Sequence, residues 1–271
     1  MSFKLLEVFM KIITCIKQVP ASSKVEIDPK TGVLVRDGSN VKMNPFDLFA
    51  LESSFHLKEK SAGSVHAITM GPFSATSVLK EALYMGADEA TLISDRRFAG
   101  ADVLATSYTL FQLIKSIGDY DVIVCGKQTT DGDTAQVGPE VAEFLKIPHV
   151  PYVKEIIEVK EKSLVLYSAY DDYDEIVEVK LPCLITIEKD ANTPRLPSFK
   201  RKQIVKDYQI NLKSLKDLED ENPSNYGLTG SPTQVEEMFP PRKKTETELI
   251  ELNNQDSANK IIEILKESRY M

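Results

Sequence analysis

The sequence predicts an α/β fold: a mostly parallel sheet with helices on both faces, a small antiparallel patch and an extended C-terminal arm. Three observations predict it. Five short apolar runs rich in β-branched residues lie between Ile12 and Ile187, as expected of strands buried on both faces of a parallel sheet. Helical patterns with recognisable starts and stops separate them. After Lys189, apolar clusters thin out and charges and prolines take over.

Taken in order, residues 1–9 precede a second methionine, Met10, and read as a short N-terminal extension. The segment is too short and too poor in basic residues for a targeting peptide, and its Leu5, Leu6, Val8 and Phe9 need a groove to become ordered. The first strand is Ile12–Ile16. Residues 25–36 read as a hairpin turning at Asp28-Pro29-Lys30-Thr31-Gly32. Asn44-Pro45 opens a helix, a capping residue before a proline at the first helical position, with Asp47 in the first turn. The next strand is Val65–Met70. Ser74 is placed to cap a second helix carrying Val78, Leu79, Ala82, Leu83 and Met85, which Gly86 stops. Ala90–Ile93 is a strand, a third helix runs from about Asp102 to Ile117 and ends at Gly118, and Val122–Cys125 is a strand. A fourth helix is expected from near Thr134. Residues 152–180 hold three strand-like runs that form the antiparallel patch, and Leu184–Ile187 closes the alternation. The domain plan is therefore an extension at 1–9, an α/β domain at 10–189 and an arm at 190–271. The arm is too poor in apolar residues to fold alone and is expected to lie across another protein or to be disordered. Its last part, from Ala258 to Tyr270, regains helical periodicity.

Composition narrows the function. With 271 residues, a net charge of -8, 42% hydrophobic and 27% charged residues, the chain is an ordinary globular one. Its acidity argues against nucleic acid as a partner. No apolar run approaches the ~18 residues of a membrane span. Cys15, Cys125 and Cys183 sit in strand-like runs without a CxxC spacing, so neither zinc nor an iron–sulfur cluster is expected, and reduced thiols suggest the cytoplasm. Three histidines are too few for a histidine-rich metal site.

The most informative stretch is 125–140, Cys-Gly-Lys-Gln-Thr-Thr-Asp-Gly-Asp-Thr-Ala-Gln-Val-Gly-Pro-Glu. A buried strand empties into a loop of Gly, Thr and Asp at a helix start, where free N–H groups, hydroxyls and the helix dipole can converge on a phosphate. The plain alternative is a solvated connection whose Gly, Thr and Asp are turn formers. Placement favours the first reading, because ligands of open α/β sheets bind at the carboxyl ends of the strands. The segments Cys15-Ile16-Lys17 and Met70-Gly71-Pro72 end at the same rim, and the helix start at Asn44 can face it. Asp131 and Asp133 would repel a phosphate and are read as ribose partners, helix caps or partner contacts. The chain has no P-loop, no Gly-x-Gly-x-x-Gly fingerprint after a strand and no Gly-x-Ser-x-Gly elbow. His56 and His66 read as packing or surface residues, and no side chain is assigned a catalytic role.

Together, Ile-Lys-Gln-Val at 16–19, Asn-Pro-Phe-Asp at 44–47, Met-Gly-Pro at 70–72, Ala-Leu-Tyr-Met-Gly-Ala-Asp at 82–88, Gly-Lys-Gln-Thr-Thr-Asp-Gly-Asp-Thr-Ala-Gln-Val-Gly at 126–138 and Asn-Thr-Pro-Arg at 192–195 resemble the β subunit of an electron transfer flavoprotein. The resemblance runs from Met10 to about Lys202. It implies a Rossmann-like, adenine-nucleotide-binding domain with a C-terminal arm and helix packed on an α subunit in a heterodimer. Most members hold structural AMP here. In the electron-bifurcating branch this pocket holds an FAD that takes hydride from NADH. That branch sends one electron to ferredoxin or flavodoxin and the other, through the α-subunit FAD, to a flavin-dependent dehydrogenase of acyl-CoA or lactate type, in an anaerobic metabolism. AMP-holding members carry an Asp-Asp-Asp-x-Asn-Gln-Thr-Gly type loop. The stretch Asp131-Gly132-Asp133-Thr134-Ala135-Gln136-Val137-Gly138 is instead similar to the bifurcating branch, and its small Gly132, Ala135 and Gly138 would let backbone approach a pyrophosphate.

By the same resemblance the nucleotide contacts fall on Cys15, on Asn44, Pro45, Phe46 and Asp47, on Met70, and on Gly126, Lys127, Gln128, Thr129, Thr130, Asp131, Gly132, Asp133, Thr134, Ala135, Gln136 and Val137. Amides of 132–137 and the Thr134 hydroxyl would hold the pyrophosphate, Asn44 and Asp47 the ribose or adenine edge, and Cys15 and Met70 the adenine faces. Leu196 is the implied apolar anchor for the dehydrogenase. The chain would be an oxidoreductase only as part of the complex. The competing reading is a non-redox adenine-nucleotide module, which leaves the arm unexplained.

Overall fold

The computed structural model describes residues 9–21, 26–27, 34–35, 41–234, 249–268 and 270. The expected extension up to Val8, the hairpin turn at Asp28–Gly32 and residues 235–248 of the expected arm lie outside the described residues. The chain forms two units, divided between Gln234 and Val235.

Strands and helices of the first unit alternate as β1 (Lys11–Cys15), β2 (Gln18–Pro20), β3 (Glu26–Ile27), β4 (Leu34–Val35), β5 (Val41–Met43), α1 (Pro45–Ser61), β6 (Ser64–Met70), α2 (Thr76–Met85), β7 (Glu89–Ile93), α3 (Val103–Ile117), β8 (Val122–Gly126) and α4 (Val137–Leu145). After these come β9 (His149–Val159), β10 (Ser163–Ala169), β11 (Asp174–Lys180), β12 (Cys183–Ile187), α5 (Phe199–Ile204) and β13 (Asn211–Lys213). One sheet runs β11-β10-β9-β12-β8-β1-β6-β7-β13. Its pairings are parallel from β9 to β13 and antiparallel between β9, β10 and β11. The pairing of β3 with β4 is the hairpin expected at 25–36, and β2 pairs with β5 beside it.

The β-branched runs are continuous because each strand feeds two cores. On β1, Ile12 packs with Leu51, Phe55, Leu79 and Leu83 of α1 and α2, while Ile13 packs with Leu113 of α3 and Val141 of α4. Val122 and Val124 of β8 join the first core, and Ile123 and Cys125 the second. Helices therefore cover both faces, as expected. The strand order places β1 between β6, reached through α1, and β8, reached through α3 on the opposite face. The switch point of the sheet thus lies between the carboxyl ends of β1 and β8.

Two starts differ from expectation. Ser74 does not cap α2. It lies in a 3-10 turn, Phe73–Ala75, and its hydroxyl donates to Gln18 Oε1 (3.0 Å). The fourth helix begins at Val137 rather than near Thr134, because Asp133 and Ala135 adopt positive φ of 50° and 56° and cannot continue a right-handed helix. The third helix is as expected, with Asp102 accepting from the Ala105 amide (3.0 Å).

The composition break at Lys189 is not the edge of the unit. Residues 190–234 form a belt around it. Asn192 and Arg195 bind α1, and β13 adds to the sheet beside β7. Leu215, Leu218 and Tyr226 are buried in the α3–α4 core. Thr233 then donates to the carboxylate of Asp102 at the start of α3. The belt is poor in apolar residues; Leu215, Leu218 and Tyr226 go inward, whereas Leu196, Phe199, Ile204, Leu212 and Leu228 stay exposed.

By itself, the second unit contains α6 (Asn254–Glu267). The Asn253 side chain accepts from the Asp256 amide (3.0 Å), and Lys260 pairs with Glu263 (2.7 Å). Ile261, Ile264 and Leu265 recur at helical spacing along it.

Candidate nucleotide crevice

Cys15 and Gly126 end the two strands at the switch point, with Cys15 level with Cys125 in the register of the pair. Met70 ends the next strand. Asn44, at the start of α1, is buried, and its side chain reaches into the 126–137 loop: Nδ2 donates to Gln128 O (2.9 Å) and Oδ1 accepts from the Thr130 amide (3.3 Å). The structure therefore brings the predicted segments to one rim. Gln18 extends it to the Met70 side by donating to Ser74 O (3.0 Å) and Ser77 Oγ (2.9 Å).

Asp47 sits beneath this junction. One oxygen accepts from the Lys17 amide (2.7 Å) and the other from Asn44 Nδ2 (2.8 Å). Only 4% of the residue is exposed, and burial pushes its carboxyl up to about 7, against the pull of the Asn44 and Lys17 hydrogen bonds. Gly126 is pressed against it. A Cβ there would lie 2.5 Å from Asp47 Oδ1 and 2.8 Å from the Phe46 carbonyl carbon. Gly138 is small for a different reason from the one expected: its Cβ would meet Thr186 Cγ2 at 2.8 Å, so it lets α4 approach β12. At Gly132 the nearest atom is Thr129 Oγ1 at 3.5 Å, and the backbone is open.

The aspartates of the loop are exposed but paired within the chain. Lys17 Nζ donates to both carboxylate oxygens of Asp131 (2.8 Å each). Burial acts to raise the Asp131 carboxyl, but the hydrogen bonds from Lys17 and Thr129 outweigh it and hold it below the usual range. Gln128 Nε2 donates to Asp133 Oδ1 (3.0 Å). Lys127 also turns away from the loop, donating to Glu188 Oε2 (2.8 Å) with its ammonium 4.7 Å from the centre of the Tyr152 ring. The amides of Lys127, Thr130 and Asp133 are engaged by Ile187 O, Asn44 Oδ1 and Thr129 O. Those of Gly132, Thr134 and Ala135 have no hydrogen bond within the described residues. Ala135 at φ 56° precedes Gln136 at φ -105°, ψ -26°. Such a change of hand turns consecutive N–H groups toward one point and makes a concave anion site.

Pro45, Phe46, Cys15 and Met70 are half-buried at the rim, and Thr129, Gln136 and Val137 flank the free amides. Cys125 lies below, its thiol raised well above the usual range by its hydrogen bond with Cys15 and by burial. Lys17, Gln18, Glu188 and Tyr152 were not among the predicted site residues. The position of Lys17 directly after a strand that ends at the switch point is the signal that could have found it. A cavity of about 920 Å³ opens at the opposite, amino edge of the sheet. There His66 bonds Thr91 Oγ1 (2.7 Å) and Lys213 bonds Ser116. Among the described residues no cluster of His, Cys, Asp or Glu could hold a metal ion, and no helix is long and apolar enough to cross a membrane.

A family model, the electron transfer flavoprotein domain, matches residues 31–211. The chain is 43% identical to the electron transfer flavoprotein subunit beta of Clostridium acetobutylicum, covering 97% of this chain and 100% of that protein. It is 43% identical to the caffeyl-CoA reductase-Etf complex subunit CarD of Acetobacterium woodii, over 89% and 92% of the two chains. To protein FixA of Azorhizobium caulinodans it is 39% identical, over 88% and 86%.

Proposed function

Because this chain belongs to the electron transfer flavoprotein family, on its β-subunit side, we propose that it is the β subunit of an electron-bifurcating member and that its crevice binds FAD. Bound there, FAD would supply a hydride acceptor for NADH and pass electrons on singly. The observation that carries the reading is the loop. The Lys17 ammonium neutralises Asp131 and the Gln128 amide hydrogen-bonds Asp133, while backbone amides stand free on both sides of Asp133, at Gly132 and at Thr134–Ala135. Two groups of donors suit a diphosphate better than the single phosphate of AMP.

In this proposal Cys15 and Met70 give apolar contact to the adenine, and the Thr134 hydroxyl joins the free amides on the pyrophosphate. Asn44 holds the loop over the rim by gripping Gln128 and Thr130, and Asp47 latches the ends of β1 and α1 beneath it. The subunit pairs with an α subunit that carries a second FAD. With FAD bound, one electron would go to ferredoxin or flavodoxin and the other, through the α subunit, to a flavin-dependent dehydrogenase of acyl-CoA or lactate type. The name of the Acetobacterium woodii relative, a complex with a caffeyl-CoA reductase, supports the acyl-CoA type. Leu196, 85% exposed, is the apolar knob for that dehydrogenase, and the complex works in the cytoplasm.

The test is cofactor extraction from the purified heterodimer. Two FAD per heterodimer are expected, with bleaching near 450 nm on addition of NADH. One FAD and one AMP would overturn the bifurcating reading.

A further inference from the structure

Resting on the docking reading of Leu196, we infer that Glu52 is a positioning residue for partner docking: a buried carboxylate on α1 that sets the conformation in which Leu196 is presented. Glu52 is 3% exposed. Its neighbour in space, Arg195, is held three ways at once. The Arg195 amide donates to Glu52 Oε2 (2.8 Å), its Nε to Oε2 (2.9 Å) and its Nη2 to Oε1 (2.9 Å). The guanidinium also meets Glu59 (2.9 Å) and lies 4.8 Å from the centre of the Phe55 ring. A fork-to-fork pair fixes direction as well as distance, which a lysine could not do. Burial alone would raise the Glu52 carboxyl. The Arg195 hydrogen bonds outweigh it, so the carboxylate stays charged.

The grip matters because Leu196 is the very next residue. Asn192 Nδ2, just upstream, donates to Phe49 O (3.0 Å) and Ser53 Oγ (2.9 Å). Just downstream, the Ser198 amide donates to Tyr84 O (2.9 Å) and the Ser198 hydroxyl accepts from the Arg201 amide (3.3 Å). Leu196 and Pro197 are thus a two-residue span between two pegs, with Pro194 and Pro197 stiffening the backbone around it. Leu196 is 85% exposed and Phe199, beyond the second peg, 75%. A surface leucine on a mobile loop would have to be ordered on binding. Here that ordering is already done, which favours association. Glu52 also meets His56 Nε2 (3.0 Å), and it acts on Leu196 through Arg195.

The test uses the heterodimer with Glu52→Gln and, as a second variant that keeps the positive charge, Arg195→Lys. Each is assayed with an acyl-CoA dehydrogenase and with a flavin-dependent lactate dehydrogenase, alongside Leu196→Ala. The expected result is a KM for the responding dehydrogenase raised ~10-fold with kcat unchanged, together with faster hydrogen exchange at the Arg195 and Ser198 amides. A purely structural role would not produce that split. Wild-type KM and wild-type exchange in both variants would overturn the inference. If Leu196→Ala raises KM and Glu52→Gln and Arg195→Lys do not, the inference fails and docking through Leu196 stands. If Leu196→Ala leaves KM unchanged with both dehydrogenases, the docking reading fails and the inference falls with it.

Discussion

Asp47 ties the end of β1 to the start of α1 with one carboxylate, and burial raises that carboxyl to about 7. The folded protein therefore binds this proton more tightly than the unfolded chain, whose carboxyl titrates near 3.8. Its contribution to stability is fully present below about pH 4 and is lost as pH rises toward 7. Relative to Asp47→Asn, which does not titrate, the wild type should lose stability on the order of 3–4 kcal/mol over that range. Denaturant midpoints measured from pH 4 to 8 check it, and parallel profiles for the two proteins would refute it. The sequence pattern shows Asp47 as an acid in the first turn of a helix, and the family resemblance implies a contact to the ribose or adenine edge. Its role comes from Lys17, thirty residues away, and no local pattern carries that information. The same holds for Asp131: repulsion of a phosphate was a fair expectation from its charge, until Lys17 was found to neutralise it.

At the scale of elements, the parallel strands were readable because burial on two faces demands continuous β-branched runs, and Ile12 beside Ile13 shows both demands met on one strand. The start of α4 was not readable. Left-handed backbone is signalled by glycine, whereas here it falls on Asp133 and Ala135, so the helix was drawn from Thr134. Asn44 was correctly placed at a helix start, yet its side chain serves the 126–137 loop and caps nothing. The contact between α4 and β12 gives a direct prediction. Gly138→Ala puts a methyl 2.8 Å from Thr186 Cγ2 and 3.4 Å from Leu184 Cδ2, and should cost about 1–3 kcal/mol in a chemical denaturation series. Nucleotide content should fall with it, because the free amides precede this helix.

For the whole molecule, the belt at 190–234 decides where the first unit ends. Reading it as an arm rested on its low apolar content. Content is a poor guide when a few apolar residues are buried in a core that the rest of the unit supplies, as Leu215, Leu218 and Tyr226 are. Tyr226 is fully buried, with its ring centre 5.4 Å from that of Phe98 and 5.5 Å from that of Tyr108. Tyr226→Ala should destabilise the unit by about 3–5 kcal/mol, read from the shift of the unfolding midpoint; a change below about 1 kcal/mol would mean the belt is not part of the cooperative core. The position of Tyr226 also bears on synthesis. On the ribosome, the central strand is made first, and the slot between Phe98 and Tyr108 exists long before the residue that fills it. The nascent chain exposes a greasy notch until the belt has cleared the exit tunnel, and that interval is the window in which a chaperone can hold it.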